Sequence, residues 1–431
     1  MKVCFFTLGC KVNQQETAAM INIFKKAGYE VVQGDAAADV YVVNSCTVTL
    51  NGDRKSIQWI RRARRQNPEA VIALCGCMPQ AFPLKAIDVE EADIIIGSKG
   101  KGEILNLVNQ FKENKERHID IVPHSERDKF EELASETDAL HTRAFLKIQD
   151  GCNRECAYCI IPKARGRVRS RPVDSIVAEA KKMAAAGHKE IVLTGVNISC
   201  YGQDLGNNVC DAIEAVAEIE DVKRVRLGSL ELDLFTDEML VRMSKVKKFC
   251  PHFHLSLQSG SDKTLKNMNR LYDTQLYTDM MNRLRELFDK PSFTTDIIVG
   301  FPGETYEDFK ETLSLVKEVE FSSLFTFIYS PRNNTPAALM PDPISREEKG
   351  KWFDELLRVQ EEIAEKNKEN YIGKTFRVLC DGKTDTDGFM KGHTNGTVSV
   401  EFEADESYLG KFVDVRIDSY KNAYMGTLLK N

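Results

Sequence analysis

The chain has 431 residues, of which 42% are hydrophobic and 29% charged, and a formal net charge of −6. This length predicts two or three domains, and the composition is typical of a globular protein rather than a fibrous or disordered one. The negative balance excludes a general attraction to nucleic acid, so any RNA contact has to come from local basic patches. No apolar run is long enough to span a bilayer, and the N-terminus turns polar too early for a signal peptide, so we expect a cytoplasmic protein.

Strand-like and helix-like runs alternate over residues 1–113. The runs KVCFFT, DVYVVNS, AVIALC and ADIIIG are nearly continuous in apolar residues, with amphipathic segments between them. This pattern predicts an α/β domain built on a parallel sheet with helices on both faces. Residues 114–140 are highly charged and lack strong periodicity, which predicts a linker that is partly structured at most.

The alternation returns over residues 141–371, with the strand-like runs AFLKIQ, EIVLTG, VRLGS, HFHLSLQ, FTTDIIVG and FSSLFTFIYS. Successive β/α units of this kind predict a partial (β/α)6 barrel, whose functional residues lie at the carboxyl ends of the strands. One long amphipathic helix, beginning at SREEKGKWF, closes this region. Residues 372–431 change to short β runs, which predict a small β-barrel.

Three cysteines follow the first barrel strand at a C-x3-C-x2-C spacing: Cys152, Cys156 and Cys159. Short loops bring such thiolates together at little entropic cost, and runs of this kind hold zinc or iron–sulfur clusters. No fourth cysteine follows before Cys200, so a four-iron cluster held here would keep one iron open to an outside ligand. The alternatives are a zinc ion completed by a distant histidine, or three unrelated cysteines.

The segment QDGCNRECAYCIIP resembles the signature of the radical S-adenosylmethionine (SAM) superfamily, with Tyr158 as the aromatic residue before the last cysteine. The resemblance implies a [4Fe-4S] cluster whose open iron chelates SAM. It also implies that one-electron reduction cleaves SAM to a 5′-deoxyadenosyl radical, which abstracts an unactivated hydrogen. The protein then positions the cofactor and excludes water.

Three further cysteines follow strands of the first domain: Cys10, Cys46 and Cys77. The carboxyl ends of parallel strands lie at one edge of a sheet, where ligand sites gather, so the fold is able to bring these cysteines together. Cys75 still belongs to its strand, and we interpret it as a small buried apolar residue. The alternative for the whole group is three independent buried cysteines.

The pattern GCKVNQQE…VVNSCTVT…GCMPQ resembles the N-terminal domain of the methylthiotransferases. The resemblance implies a second, auxiliary [4Fe-4S] cluster on Cys10, Cys46 and Cys77, with a free site for the sulfur to be inserted. It runs nearly end to end, the closing barrel resembles a TRAM RNA-binding domain, and the chain is most similar to the MtaB type. That type implies a methylthio group added to carbon 2 of N6-threonylcarbamoyladenosine at tRNA position 37, with SAM as both radical source and methyl donor.

The same resemblance, together with position at strand ends, indicates a set of SAM contacts: Tyr158, Thr194, Gly195, Asn197, Glu231, Ser256, Gln258, Arg270, Asp296 and Gly300. Polar residues at these ends are typical of a barrel's functional site, although an ordinary turn or cap is the alternative for any one of them. Arg270 is a candidate for holding the SAM carboxylate, against the alternative of a solvated helix-end arginine. Gly228 and Leu232 stand where the family pattern has Ser and Pro, so the role of Glu231 stays open.

Two basic runs supply candidate RNA contacts. In KARGRVRSR every second residue is basic, so an extended chain would turn all five toward one side as a phosphate track: Lys163, Arg165, Arg167, Arg169 and Arg171. The helix DRKSIQWIRRARR also carries arginines, for which a solvated face is the ordinary explanation. The terminal β-barrel is a third candidate contact, and an anticodon loop presents an adenine that is already unpaired.

The expected partners are the anticodon stem-loop of tRNA, an electron donor such as flavodoxin or ferredoxin, and a sulfur source, with no membrane. The nearest alternative substrates are isopentenyladenosine in tRNA and a ribosomal protein side chain. A two-cluster electron carrier without SAM is disfavoured, because carriers usually hold their clusters with four cysteines. An RNA-binding zinc protein is the remaining class, and a colourless, iron-free preparation would indicate it.

Overall fold

A computed structural model describes residues 1–34, 36–133 and 142–429 of the chain. The N-terminal domain is built on a parallel sheet with the strand order β2-β1-β3-β4-β5-β6. Its strands are β1 (Lys2–Thr7), β2 (Glu30–Val32), β3 (Val40–Ser45), β4 (Val71–Gly76), β5 (Ile94–Ile96) and β6 (His118–Asp120). Its helices are α1 (Lys11–Lys26), α2 (Leu50–Gln66), α3 (Cys77–Ala81), α4 (Pro83–Ile87) and α5 (Ile104–Asn114). Apolar cores lie on both faces of the sheet, as its nearly continuous apolar strands predict.

The N-terminal sheet extends beyond residue 113, where the sequence pattern places the end of the domain. Strand β6 pairs in parallel with β5 inside the predicted linker. The chain after it stays attached, because Gln80 Nε2 donates a hydrogen bond to Val122 O at 3.0 Å and Lys99 Nζ lies 2.9 Å from Asp128 Oδ2. The predicted boundary is therefore too early, since three residues of β structure escape a periodicity analysis. The last part of the linker, residues 134–140, lies outside the described residues.

The central domain contains parallel strands flanked by helices. Its strands are β7 (Arg143–Lys147), β8 (Gln149–Asp150), β9 (Arg169–Ser170), β10 (Glu190–Thr194), β11 (Arg224–Leu227), β12 (Ser229–Leu230), β13 (His252–Leu255), β14 (Ser292–Val299) and β15 (Ser323–Ile328). Its helices are α6 (Ile161–Arg165), α7 (Val173–Ala185), α8 (Val209–Ala217), α9 (Asp237–Lys245), α10 (Asp262–Asn267), α11 (Thr274–Leu287), α12 (Tyr306–Val319) and α13 (Arg346–Lys368).

All of these strands except β8 and β9, which pair antiparallel with each other, form the wall of an open barrel. One sheet has the order β7-β10-β11, and a second continues it as β12-β13-β14-β15, with Gly228 between β11 and β12. All these pairings are parallel, and the largest apolar core of the protein fills the space between the wall and the helices. In the described part of the chain β7 and β15 do not pair, so the wall stays open between them. The predicted partial barrel is confirmed.

The long helix α13 covers the outer side of β15. Ser345 caps its start by accepting a hydrogen bond from Glu348 N at 3.1 Å. Trp352, Leu356 and Ile363 face the barrel core, while the opposite side of the helix is charged. Neither this helix nor any other among the residues described is long and apolar enough to cross a membrane.

The C-terminal strands close into a small barrel in the order β16-β17-β18-β20-β19. They are β16 (Thr375–Lys383), β17 (Phe389–His393), β18 (Ser399–Glu403), β19 (Phe412–Tyr420) and β20 (Tyr424–Leu428). This barrel packs against the amino ends of the central strands: Arg224, which begins β11, donates hydrogen bonds to His393 O at 3.1 Å and Arg377 O at 2.8 Å. Ser292, which begins β14, donates one to Gly396 O at 3.0 Å. The predicted barrel is confirmed, and it sits at the end of the central domain opposite to the cysteine loop.

Candidate active site

The C-x3-C-x2-C loop lies at the carboxyl end of the barrel wall, directly after β8. Two polar side chains reach its sulfurs: Asn197 Nδ2 lies 3.5 Å from Cys152 Sγ, and Arg270 Nη1 lies 3.2 Å from Cys156 Sγ. Burial, together with the neighbouring thiols of Cys156 and Cys152, raises the pKa of Cys159 to about 12. The three thiols therefore share one small volume, and a bound metal is what would remove their protons at neutral pH.

A cavity of about 190 Å³ opens beside this loop. Besides the three cysteines, it is lined by these predicted SAM contacts: Tyr158, Asn197, Glu231, Ser256, Gln258 and Arg270. The other predicted contacts lie around it rather than on its wall. Thr194 is buried, Gly195 packs against Gln149, and the backbone N–H of Gly300 donates to Glu304 at 2.6 Å. Asp296 lines a larger neighbouring cavity.

Glu231 is the charged centre of the smaller cavity. It accepts a hydrogen bond from Asn197 Nδ2 at 2.7 Å, pairs with Arg270, and lies 3.4 Å from Arg154 Nε. Arg154 also pairs with Asp233. Sequence reasoning missed Arg154 and Asp233, although the position of Arg154 inside the cysteine run was a usable signal. Arg154 and Arg270 give the cavity partners for the carboxylate of an amino-acid ligand, and Glu231 gives a partner for its amino group.

The second cysteine group is assembled from three strands of the N-terminal sheet. Cys10 stands at the start of α1, Cys46 follows β3, and Cys77 begins α3 after β4. Since β1, β3 and β4 are parallel neighbours, their carboxyl ends bring these residues together. Burial and the neighbouring Cys77 thiol raise the pKa of Cys46 to about 12. Gly9 leaves room for the group, because it has a φ of 104° and a Cβ there would lie 2.8 Å from Cys46 Sγ.

Cys75 belongs to neither group. It lies within β4, in the apolar core on one face of the sheet, with its Sγ 3.9 Å from Asn44 Oδ1. Burial raises the pKa of its thiol to about 12. It is thus the buried structural cysteine that its strand position predicts. Over the described ranges, no three His, Cys, Asp or Glu side chains converge tightly enough to hold a single metal ion.

A buried set of charges lies between the two cysteine groups. This junction cluster consists of Glu16 and Lys101 from the N-terminal domain and Lys147, Asp150 and Arg165 from the barrel. Lys147 Nζ lies 2.7 Å from Glu16 Oε1 and 2.6 Å from Asp150 Oδ2. Burial opposes the charge of Glu16, yet Arg165, Lys101 and Lys147 hold its pKa well below the usual range. Sequence reasoning missed this cluster because its members are far apart in the chain.

The basic run KARGRVRSR is not an exposed track. Arg165, Arg169 and Arg171 are only 1%, 7% and 5% exposed, and all three face carboxylates inside the protein. The prediction that five side chains face one way is therefore wrong. Its premise was an extended chain, but α6 ends at Arg165 and Gly166 turns the chain with a φ of 70°. The two members that stay on the surface are Lys163 and Arg167.

A larger cavity of about 520 Å³ lies between the two cysteine groups. One wall is formed by Val48 and Thr49, which closely follow Cys46, and the opposite wall includes Tyr158 and Cys159 of the loop. The open edge of the barrel supplies the remaining wall, largely from β15. An apolar and aromatic lining with a few polar groups is typical of a small-molecule site.

Family profiles match three parts of the chain. They are the Radical SAM superfamily over residues 146–316, the Uncharacterized protein family UPF0004 over residues 2–97, and the TRAM domain over residues 369–425. The first family implies a [4Fe-4S] cluster and SAM. The donors fit that pair, since three thiols converge in the loop and the charged cavity opens beside them.

Several curated proteins are similar over almost the whole chain. Identity is 38% to the threonylcarbamoyladenosine tRNA methylthiotransferase MtaB of Bacillus subtilis (strain 168), over 96% of this chain and 93% of that protein. It is also 38% to the MtaB of Aquifex aeolicus (strain VF5), over 88% and 92%. Identity is 37% to the tRNA-2-methylthio-N(6)-dimethylallyladenosine synthase of Clostridium botulinum (strain Langeland), over 95% and 93%.

Solved structures share the fold at low sequence identity. The radical SAM methyltransferase TsrM of Kitasatospora setae, with cobalamin and a [4Fe-4S] cluster bound, matches with a TM-score of 0.59 at 12% identity, over 78% of this chain and 74% of its own. The cobalamin-dependent radical SAM enzyme OxsB matches with a TM-score of 0.51 at 13% identity, over 85% and 56%. These likenesses concern the fold, whereas relatives at 37–38% identity span nearly the full length. On that ground the chain belongs to the MtaB-type family of radical SAM tRNA methylthiotransferases.

Proposed function

We propose that the chain inserts a sulfur atom and a methyl group at carbon 2 of N6-threonylcarbamoyladenosine at position 37 of tRNA. The relatives are named for two different adenosines, one with a threonylcarbamoyl and one with a dimethylallyl substituent. These substituents differ in charge, because the threonylcarbamoyl group ends in a carboxylate and the dimethylallyl group is a neutral hydrocarbon. Whether the larger cavity can bind a carboxylate therefore distinguishes the two candidate substrates.

The observation that carries this proposal is a buried cation on the wall of the larger cavity. Arg332 is 2% exposed, and its Nη2 donates hydrogen bonds to Thr47 Oγ1 at 2.6 Å and Asp53 Oδ2 at 2.9 Å. Lys85 Nζ also lies 2.7 Å from Asp53 Oδ2, so two cations share one carboxylate. Arg332 Nε and Nη1 have no hydrogen-bond partner among the described residues. This corner carries excess positive charge and two arginine nitrogens whose N–H groups lack partners.

A carboxylate ligand matches that corner better than a hydrocarbon does. A buried donor that lacks a partner costs about 1–3 kcal/mol, so the unpartnered N–H groups on Nε and Nη1 favour a ligand that accepts from them. Guanidinium and carboxylate form charge-assisted, often bidentate pairs, which are the strong ones in proteins. The apolar wall of the same cavity suits the purine ring of either substrate, so the arginine is what distinguishes them.

The direct test uses two anticodon stem-loops that differ only in the modification on adenosine 37. Each is incubated without oxygen with the reconstituted protein, SAM and a reductant, and its nucleosides are measured by mass spectrometry. We expect a methylthio product from the threonylcarbamoyl RNA alone. Comparable products from both RNAs would overturn the proposal. Unchanged RNA with 5′-deoxyadenosine still formed would direct the search to a ribosomal protein side chain.

Arg332→Met tests the residue behind this choice. Loss of a charge-assisted hydrogen bond should lower kcat/KM for the threonylcarbamoyl RNA roughly 10- to 150-fold. Lys85→Met is the matched control, since Lys85 shares Asp53 but does not line the cavity. Equal losses in the two variants would mean that the charge of the corner matters and the contact does not.

We also propose that Cys10, Cys46 and Cys77 hold a second [4Fe-4S] cluster. The donor set supports this, because three thiols meet at one sheet edge, burial raises the pKa of Cys77, and the Cys10 thiol raises it further. The absence of a Cβ at Gly9 leaves the space beside Cys46 that an added methyl group would fill. When loaded, the two cysteine groups and SAM supply a 5′-deoxyadenosyl radical, a sulfur atom and a methyl group.

The chain itself contributes placement and the exclusion of water. The two cavities share Tyr158, Cys159 and Gln258 on their walls, so a SAM bound in the smaller cavity would adjoin a base bound in the larger one. Arg270 and Glu231, which pair on the wall of the smaller cavity, would orient the carboxylate and amino groups of that SAM. The apolar lining of the larger cavity keeps bulk water from the reacting atoms.

The proposed RNA contacts are the two exposed basic residues after the cysteine loop, Lys163 and Arg167, and the C-terminal barrel. The barrel sits at the opposite end of the central domain, so an RNA that contacts both spans its length. A flavodoxin or ferredoxin as electron donor and a separate sulfur source complete the partners. We place the reaction in the cytoplasm.

A further inference from the structure

Arg165 lies where the two cysteine groups meet. It is the last residue of α6, which begins two residues after Cys159, and its side chain crosses into the N-terminal domain. There its Nε donates a hydrogen bond to Cys77 Sγ at 3.2 Å. The next residue, Gly166, accepts the backbone N–H of Cys152 at 3.0 Å. One dipeptide thus contacts a thiol of one group and holds the backbone of the other.

The orientation of the Arg165 guanidinium is fixed by the junction cluster. Nη1 pairs with Glu16 Oε1 and lies 3.3 Å from Asp150 Oδ2. Nη2 donates to Glu16 Oε2 at 3.0 Å and to Asn13 Oδ1. The four Nη hydrogens are therefore engaged, and the Nε hydrogen is directed at Cys77. A guanidinium with all five donors matched has one orientation in this site.

Asn13 extends this contact to the other two cysteines of the N-terminal group. Its Nδ2 donates hydrogen bonds to Leu8 O at 2.7 Å and to Ser45 O at 3.0 Å. These carbonyls stand two residues before Cys10 and one residue before Cys46. Arg165 therefore contacts the Cys77 thiol directly, and through Asn13 it is linked to the loops that carry Cys10 and Cys46.

We propose that Arg165 is a positioning residue for the N-terminal cysteine group, one that raises the reduction potential of its cluster and sets its place relative to the loop of Cys152, Cys156 and Cys159, here called the SAM loop. This inference rests on the proposed second cluster. Hydrogen bonds to cluster sulfurs and nearby charge are main determinants of a cluster's potential, and a cation favours the more negative, reduced state. Solvent screens the charge of Arg165 only weakly, because this residue is 1% exposed.

The test measures a potential rather than turnover. In a chain with Cys152, Cys156 and Cys159 replaced by Ala, any [4Fe-4S] signal comes from the N-terminal group. Redox titration followed by electron paramagnetic resonance compares this chain with versions that also carry Arg165→Gln or Arg165→Lys. We expect a lower potential for Arg165→Gln, and a smaller shift in the same direction for Arg165→Lys, which keeps the charge but loses the fork geometry.

Arg167→Gln is the matched control. It removes the same charge two residues further along, on a side chain that is 68% exposed, and should leave the potential unchanged. Equal shifts in the two glutamine variants would overturn the inference. So would an Arg165→Gln chain with full iron content and the parental potential.

Further variants keep the outcome decisive if Arg165→Gln fails to fold. The pair Glu16→Gln with Arg165→Gln removes both charges of one buried ion pair, and it should lower the potential as well. Parental potentials in this pair and in Arg165→Lys would overturn the inference. A background chain that binds no cluster would overturn the proposed second cluster itself.

The reciprocal chain has Cys10, Cys46 and Cys77 replaced by Ala and keeps the SAM loop. In that chain Arg165→Gln should leave the SAM-bound spectrum unchanged. A changed spectrum would mean that Arg165 has a general structural role instead.

Discussion

In each cysteine group an arginine side chain donates to one of the sulfurs, and these two side-chain contacts have the same length. Arg270 Nη1 lies 3.2 Å from Cys156 Sγ, and Arg165 Nε lies 3.2 Å from Cys77 Sγ. Their surroundings differ, because Arg270 lines a cavity of about 190 Å³ whereas Arg165 is enclosed by protein. A ligand is able to compete for the first guanidinium and unable to reach the second. The same contact therefore suits exchangeable binding at one site and permanent placement at the other.

The carboxylates paired with these arginines show the same difference. Glu231 lines the smaller cavity together with Arg270, and it pairs there with the side chain of Arg154 as well. Glu16 is 2% exposed and is surrounded by Lys101, Lys147 and Arg165. One carboxylate belongs to a binding site and the other to an interface between domains.

The largest effect should come from removing one cysteine of each group. We expect Cys156→Ala to abolish 5′-deoxyadenosine formation, because the SAM loop then lacks a ligand. Cys46→Ala should keep SAM cleavage while the methylthio product is lost. Chromatography of the nucleosides and of 5′-deoxyadenosine from one reaction measures both. If the two variants behave alike toward SAM, the division of labour between the groups is wrong.

The two groups also differ in how far the sequence predicts them. Cys152, Cys156 and Cys159 lie within one loop, so their spacing alone indicates a shared metal site. Cys10, Cys46 and Cys77 come together only because β1, β3 and β4 are neighbours, which takes a correct sheet prediction. The role of Arg165 was beyond the sequence, since a strict alternation of basic residues indicates an extended surface strand. A five-residue helix and the long-range partner Glu16 override that pattern.

The paired carboxylates allow a test on stability. Glu16→Gln leaves three buried cations with one carboxylate fewer and should destabilise the fold by about 3–5 kcal/mol. Glu231→Gln lies at a cavity and keeps its hydrogen bond to Asn197, so a loss of about 1–2 kcal/mol is expected. Urea denaturation followed by circular dichroism compares the two. Equal losses of unfolding free energy in Glu16→Gln and Glu231→Gln would mean that the interface carboxylate and the binding-site carboxylate do not differ in their contribution to stability.

Arg270→Gln should act on SAM binding with little effect on stability. Loss of one charge-assisted hydrogen bond of about 2 kcal/mol corresponds to roughly a 30-fold weaker Kd, measured without oxygen by isothermal titration calorimetry. Arg165→Gln should leave that Kd unchanged, because its guanidinium does not line the smaller cavity. A parental Kd for Arg270→Gln would show that SAM is held elsewhere in the cavity.

The arginines that follow the SAM loop make the contrast between buried and exposed charges testable with RNA. Arg167→Gln should lower the slope of log K against log salt for tRNA binding by about one, as expected for one lost phosphate contact. Arg169→Gln should leave the slope unchanged, since Arg169 is buried 3.5 Å from Asp150. An unchanged slope for Arg167→Gln would remove this surface from the RNA interface.

The smallest effect should appear at a third buried ionic contact, which joins the C-terminal barrel to the central domain. His393 lies between Asp381 and Glu190, with Nε2 3.1 Å from Glu190 Oε2, and Arg226 Nε lies 2.8 Å from the other oxygen of Glu190. Burial alone would lower the pKa of His393, but the two carboxylates raise it above the ordinary value. Unlike lysine and arginine, histidine has an ordinary pKa of about 6.5, so the upward shift of the His393 pKa places the loss of its charge above that pH.

A histidine whose pKa is raised by folding stabilises the fold fully below its unfolded pKa of about 6.5, and that stabilisation is lost as the pH rises through the folded pKa. The thermal midpoint should therefore fall between pH 6 and pH 8.5 by more in the parent chain than in His393→Gln. His118→Gln, on a strand of the N-terminal sheet, is the control and should follow the parent. Parallel pH profiles for the parent and His393→Gln would mean that this contact is as insensitive to pH as the one at Arg165. The histidine would then not make the pH dependence of stability differ between the two interfaces, and the burial that both contacts share would determine how each responds to pH.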